Sequence, residues 1–304
     1  MPYHCVVCAK QVPDTKRVTG EAMKEDGTVN RAALPAVFNP EDLNALETAL
    51  AIRDEHGGEV TVVTMGPPAA CELLRESLYR GADRVILLSD RRAAASDTLA
   101  TSYILSRAVA KLNPDIVLCG RQAIDGDTAQ VGPQLAEKLE MNLITYLEAL
   151  TGLEGQRIEV RRNVGNGWER VACPLPVLLT VMETANAPRP RAAKRLMKHK
   201  KARAAVEVAK EVETQAGDGA DEQALAAATQ KRCDQLQAQG LLIEQWDLDD
   251  IEADMDWVGM SGSPTKVHRI QSIVLAGGEY HEFEPTDEGV AALVGELIDD
   301  HTIG

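Results

Sequence analysis

The residues best suited to chemistry lie between 120 and 133, in the run GRQAIDGDTAQVGP. Asp125-Gly126-Asp127 is a turn signal, and Thr128, Ala129, Gln130, Val131 and Gly132 offer mostly small residues with free backbone N–H groups ahead of a helical pattern. Pro133 suits the first turn of that helix, where an N–H would have no partner. A loop of this kind meets an anion with free donors and the positive end of a helix dipole, so it can cradle a pyrophosphate. It matches neither the phosphate-loop motif nor the usual dinucleotide fingerprint. It also reads as an ordinary capped turn, with Asp127 satisfying backbone donors.

Three other constellations bear on function. Ser96-Asp97-Thr98-Leu99-Ala100-Thr101 opens a helix, and Thr98 and Thr101, three apart, share a face on which two hydroxyls could meet a ring system. The same run reads as a cap followed by surface threonines. Asn39-Pro40-Glu41-Asp42 carries an N-cap residue and a first-turn proline, and is complete without a ligand. Cys5 and Cys8 form a CxxC inside an apolar, strand-like run. With no second CxxC to complete a zinc site, the six cysteines read as reduced, unpaired thiols, without an iron–sulfur cluster. The histidines (4, 56, 199, 268, 281 and 301) show no metal-binding or triad spacing.

The elements that must position these residues follow from the hydrophobic pattern. Runs 3–8, 59–64, 84–88 and 115–119 are almost continuously apolar, as strands buried on both faces of a parallel sheet are. Helix-like stretches at 41–55, 68–80 and 98–112 separate them, which defines βαβ units and a doubly wound, mostly parallel, Rossmann-like α/β fold of the adenine-nucleotide-binding type. Ligands in such folds bind beyond the carboxyl ends of the strands, where Met65-Gly66-Pro67, Ser89-Asp90 and Gly120-Arg121-Gln122 fall. After residue 140, shorter β segments at 142–150, 156–163, 168–173 and 176–182 read as an antiparallel extension. Residues 202–240 read as polar helices broken at Gly217-Asp218-Gly219, the chain from 241 as irregular and acidic, and 286–299 as a last helix.

The chain has 304 residues, with 32 Lys and Arg against 47 Asp and Glu, a net charge of −15. That balance repels phosphate backbones and excludes general nucleic-acid binding. Only 3% of residues are aromatic, so the core is aliphatic. No apolar run approaches the roughly 18 residues of a membrane span, and Met1 to Cys5 lack signal-peptide character, so the reading is cytoplasmic. One stretch reverses the charge: Arg189, Arg191, Lys194, Arg195, Lys198, Lys200, Lys201 and Arg203 occur with no acid between Glu183 and Glu207. The 186–205 run reads either as a solvated loop or as a docking loop for an acidic protein.

At this point the sequence resembles the β subunit of an electron transfer flavoprotein. The carriers are CAKQVPDT at 8–15, NPEDLNALETAL at 39–50, VTMGPP at 63–68, GADRVILLSD at 81–90, SDTLATS at 96–102, GRQAIDGDTAQVGP at 120–133, LPVLLTVMETANAPR at 175–189 and SGSPTKV at 261–267. The form of 125–133, with Thr98 and Thr101, resembles the bifurcating, Fix-type group, in which FAD takes the place that a structural AMP holds in housekeeping members. The resemblance implies that Gly120 and Asp125 to Gly132 hold the pyrophosphate and ADP portion. It implies that Cys8, Asn39, Pro40, Glu41, Asp42 and Met65 line the adenosine side, that Thr98 and Thr101 lie near the isoalloxazine, and that Gly81 to Arg84 contribute. It further implies NADH as electron donor, a flavoprotein α subunit as partner, a ferredoxin or flavodoxin as low-potential acceptor, and a dehydrogenase, of acyl-CoA type in many members, as the other acceptor. Residues 1–200 would form the FAD-binding domain and 201–304 a helical insertion and C-terminal arm wrapping the α subunit. Members serving acyl-CoA dehydrogenases carry a Leu anchor where Ala193 stands here, which implies docking through Arg191, Lys194 and Arg195. The alternative is a non-bifurcating scaffold with AMP.

Overall fold

A computed structural model describes residues 2–14, 34–217, 221–265 and 281–299. The break at 218–219, His268, His301, Lys266 and Val267 lie outside the described residues. Four runs form the strands their apolar character predicts: β1 (Tyr3–Cys8), β4 (Gly58–Met65), β5 (Arg84–Leu88) and β6 (Ile116–Gly120). A short ribbon of β2 (Gln11–Pro13) and β3 (Ala36–Phe38) follows β1. The helices are α1 (Pro40–His56), α2 (Cys71–Arg80), α3 (Thr98–Leu112) and α4 (Val131–Lys138).

The later strands are β7 (Asn142–Glu154), β8 (Arg157–Asn163), β9 (Trp168–Pro174) and β10 (Val177–Val181). Only β8 and β9 extend the sheet antiparallel. β10 lies parallel between β6 and β7 and is buried throughout, so the antiparallel extension expected over 142–182 is narrower than those bounds. Its five residues, VLLTV, are as continuously apolar as β1, the signature of an interior strand.

The second departure lies beyond residue 192. The basic run contains a short helix, α5 (Ala193–His199), and a two-residue strand, β11 (Arg203–Ala204). Helices α6 (Ala205–Ala216) and α7 (Glu222–Ala238) then lead to β12 (Leu242–Trp246), in the stretch read as irregular. β12 pairs parallel with β5, and β11 with β12, so the sheet runs β11-β12-β5-β4-β1-β6-β10-β7-β8-β9. A last helix, α8 (Asp287–Asp299), leaves Val290, Leu293, Val294 and Ile298 exposed along one side.

Two apolar layers sandwich the parallel strands. α1 and α2 pack on one face through Leu46, Leu50, Ile52 and Leu74, and α3 and α4 on the other through Ile104, Val109 and Leu135. Each such fully buried side chain contributes roughly 1.5–3 kcal/mol. The chain leaves β1 toward β4 on one side while β6 lies on the other, so the strand order reverses at the carboxyl ends of β1 and β6.

Candidate functional site

At that reversal the starts of α1, α3 and α4 meet the ends of β1 and β6. Asn39, fully buried, stands at the N-cap of α1, yet its side chain does not cap α1. Its Nδ2 donates to the Gln122 carbonyl (2.9 Å) and its Oδ1 accepts from Ile124 N–H (3.2 Å). Glu41 accepts from Gln122 N–H (3.0 Å) and pairs with Arg121 (3.1 Å). Asp42 accepts from Gly120 N–H (2.7 Å) and Lys10 N–H (2.8 Å). The first turn of α1 therefore spends its polar groups holding the 120–124 main chain and the end of β1, which makes Asn39, Glu41 and Asp42 builders of the loop. Burial pushes the Asp42 carboxyl up to about 7 and neighbouring Glu41 adds to this, against hydrogen bonds that lower it.

The loop beyond is held by an Asp125–Lys10 ion pair (2.8 Å) and by Gln122 Nε2 donating to Asp127 (3.0 Å). Asp127 and Ala129 both adopt left-handed backbone, φ 47° and 53°, and Gln130 returns to the right-handed region. Alternation of this kind gathers successive N–H groups into an anion-binding concavity. Among the described residues the Gln130 side chain does not cap α4, and Asp127 accepts from a side-chain donor, Gln122 Nε2. The first-turn donors of α4, uncapped among the described residues, and the concavity before them fit the pyrophosphate of a nucleotide.

Two glycines set the spacing. A Cβ on Gly120 would lie 2.6 Å from Asp42 Oδ1, and one on Gly132 would lie 2.9 Å from Thr180 Cγ2 and 3.0 Å from Cys119 Sγ. α4 thus sits directly on β6 and β10. Gly132→Val is expected to lift the start of α4 and lower nucleotide retention at least about tenfold, while Gly126→Ala, which meets nothing within 4 Å, changes retention little. Equilibrium dialysis against labelled nucleotide checks both.

On α3, Asp97 caps through Ala100 N–H (3.0 Å), and Thr98 Oγ1 donates to Gln130 Oε1 (2.8 Å), joining α3 to the residue before α4. Thr101 lies in the same first turn, and its N–H donates to the Asp97 carbonyl (2.9 Å). Met65 ends β4, half-buried in the α3/α4 layer. Cys8 ends β1 in that layer, whereas Cys5 faces the α1/α2 layer, so the CxxC spans both faces of the sheet. Both cysteines are free, and burial pushes each thiol up to about 12. Gly81 to Arg84 lie elsewhere, where α2 ends and β5 begins, at the opposite end of the strands.

What sequence reasoning missed is the joining of this site to residues 247–265. Lys111 Nζ donates to the Asp250 carbonyl (2.7 Å), Arg107 Nε to the Ile251 carbonyl (3.2 Å), and Asp254 N–H to Tyr103 Oη (2.9 Å). Residues 103, 107 and 111 share a helix face by their i, i+4 spacing, which was the signal available. Among the described residues no cluster of His, Cys, Asp or Glu could hold a metal, and no helix is long and apolar enough to cross a membrane.

Fold and site define a doubly wound α/β protein with an anion-receptive helix start where its strand order reverses. The electron transfer flavoprotein domain matches residues 26–213. The chain is 38% identical to the electron transfer flavoprotein β subunit of Clostridium acetobutylicum over 299 residues, covering 98% of this chain and 99% of that one. It is 49% identical to protein FixA of Sinorhizobium fredii over 191 residues, 60% of this chain and 66% of that one. It is 50% identical to a subunit of the caffeyl-CoA reductase–Etf complex of Acetobacterium woodii over 186 residues, 60% of this chain and 70% of that one. The chain belongs to the electron transfer flavoprotein family, among its β subunits.

Proposed function

We propose that the chain pairs with a flavoprotein α subunit and holds FAD in the cradle between α3 and α4, as part of a bifurcating complex in the cytoplasm. The observation that carries the reading is the uncapped start of α4 behind the left-handed Asp127 and Ala129. Likeness to a caffeyl-CoA reductase–Etf subunit and to FixA supports it. When bound, FAD supplies the redox chemistry: hydride from NADH, one electron onward to a ferredoxin or flavodoxin, and one through the α-subunit FAD to a dehydrogenase.

The residues of the chain position and enclose. Asp125 to Gly132 would hold the pyrophosphate with main-chain donors, and Gly120 and Gly132 keep the floor low enough for it. Asn39, Glu41 and Asp42 hold the loop. Cys8 and Met65 would line the adenosine side, with Pro40 at the start of α1, and Thr98 and Thr101 would face the ring. Protonated thiols beneath the cradle suit a protein whose cofactor performs the chemistry. The exposed apolar side of α8 is the surface offered to the α subunit.

Cofactor content tests this directly. The αβ complex, purified and denatured, is expected to release two FAD and no AMP per heterodimer. One FAD with one AMP would replace the bifurcation reading with a simple electron shuttle whose nucleotide here is structural.

A further inference from the structure

Around the start of α3 the hydrogen bonds form a closed set that reaches from the nucleotide cradle to the 258–265 segment. Asp97 uses Oδ1 to cap α3 and Oδ2 to accept Thr265 N–H (2.9 Å). Its own N–H donates to Ser263 Oγ (2.8 Å). Ser263, which is 4% exposed, donates to the Gly259 carbonyl (2.6 Å), and Gly259 N–H donates to Ser96 Oγ (3.1 Å). One residue further on, Thr98 Oγ1 donates to Gln130 Oε1 (2.8 Å) at the lip of the cradle. A single helix end thus carries bonds to the segment on one side and to the cradle on the other.

Capping alone does not require this arrangement. Asp97 would cap α3 equally well with one oxygen, and serine or asparagine would serve. Burial of Ser263 inside the set costs a hydroxyl its water and is met by two partners. The Asp97 carboxyl, although partial burial pushes it up, is held below the usual carboxylate range by the N–H groups of Ala100 and Thr265, so it is ionised at neutral pH. Its bond to Thr265 is charge-assisted.

We infer that Asp97 and Ser263 are positioning residues through which a nucleotide in the cradle and the seating of Val258–Thr265 on α3 stabilise each other. The inference rests on the cradle reading above. A ligand that orders Thr98 and Gln130 fixes the start of α3, and that fixed end presents Asp97 to Thr265 and Ser263. The coupling is reciprocal: whatever loosens the segment weakens the ligand by the same factor. Met260, 64% exposed, lies on this segment, and Trp257 directly precedes it.

The test uses the αβ complex, stripped of its β-chain nucleotide and reloaded with FAD or with AMP, followed by amide hydrogen exchange. In the wild type, loading is expected to slow exchange across 258–265 about tenfold. Asp97→Asn keeps a good helix cap but turns the second acceptor into a donor facing Thr265 N–H. Ser263→Ala breaks the set from the other side. Both variants are expected to keep protection in α3, to lose the nucleotide-dependent protection of 258–265, and to bind the nucleotide about tenfold more weakly. Nucleotide-dependent protection of 258–265 that persists in both variants overturns the inference and leaves the cradle reading intact. A wild-type complex that retains neither FAD nor AMP overturns the cradle reading and the inference with it.

Discussion

Asp42→Ala is expected to destabilise the chain by about 2–3 kcal/mol and to release its nucleotide, because the Gly120 N–H is buried and has no other acceptor. The Lys10 N–H, nearer solvent, loses less. The carboxylate ties the end of β6 and the residue beyond β1 to the start of α1 beside the bonds made by Asn39 and Glu41, so its loss loosens the 120–124 loop on α1 even where the fold survives. Thermal unfolding and nucleotide retention, measured on the same samples, report both effects. A variant that unfolds at the wild-type temperature with its nucleotide in place would show the carboxylate to be dispensable.

The same residue sets a pH dependence of definite sign. Burial raises Asp42 to about 7 in the folded chain, while in the unfolded chain it returns to the ordinary carboxylate range. Between those values the folded chain binds the extra proton, so its contribution to stability is fully present in acid and is lost as pH rises through about 7. The melting temperature of the wild type is therefore expected to fall, relative to that of Asp42→Asn, between about pH 4 and pH 7. Parallel profiles for the two proteins would assign the slope to another group.

The limits of legibility in the sequence follow from which interactions are local. β1, β4, β5 and β6 were readable because burial on both faces leaves an unbroken apolar run. β12 was not: Leu242-Ile243-Glu244-Gln245-Trp246 places two polar residues in five. Its Glu244 is there to bind Arg84 on β5 (2.7 Å), a partner 160 residues away that no local pattern reveals. β10 carried the interior-strand signal, but its neighbours in sequence are antiparallel and drew it with them. At the site, the position of Asn39 as N-cap was legible and the use of its side chain was not, since its partners Gln122 and Ile124 lie more than 80 residues on. The left-handed Asp127 and Ala129 were likewise hidden, because neither is the glycine that usually marks such backbone. A local pattern locates the loop; only the fold shows the backbone that gathers its donors.

The second large effect concerns the basic run. Lys194→Glu with Lys198→Glu is expected to lower the second-order rate of electron transfer to an acidic protein partner by about 10- to 1,000-fold at low salt, with nucleotide content unchanged. The argument rests on which cations are already used. Arg189 is engaged by Glu47 (2.9 Å) and Asp54 (2.8 Å), which pins the Asn186-Ala187-Pro188-Arg189 turn on α1, and Arg191 is paired with Glu76 (3.0 Å). Among the described residues, Lys194, Arg195, Lys198 and Lys201 form no ion pair, and Lys200 reaches only Met197 Sδ. Their field therefore points outward from α5, on a chain whose net charge is −15. Met197, 63% exposed among them, supplies an apolar centre of the kind that a docking patch surrounds with charge. Arg191, named with Lys194 and Arg195 as a docking residue, is thus half committed to α2, and the weight shifts toward the C-terminal half of α5. Raising the salt is expected to slow the wild type steeply and the charge-reversed variant hardly at all, because the attraction being screened exists only in the former. Equal rates for the two proteins at every ionic strength would reduce α5 to a solvated surface and move the docking site elsewhere on the chain.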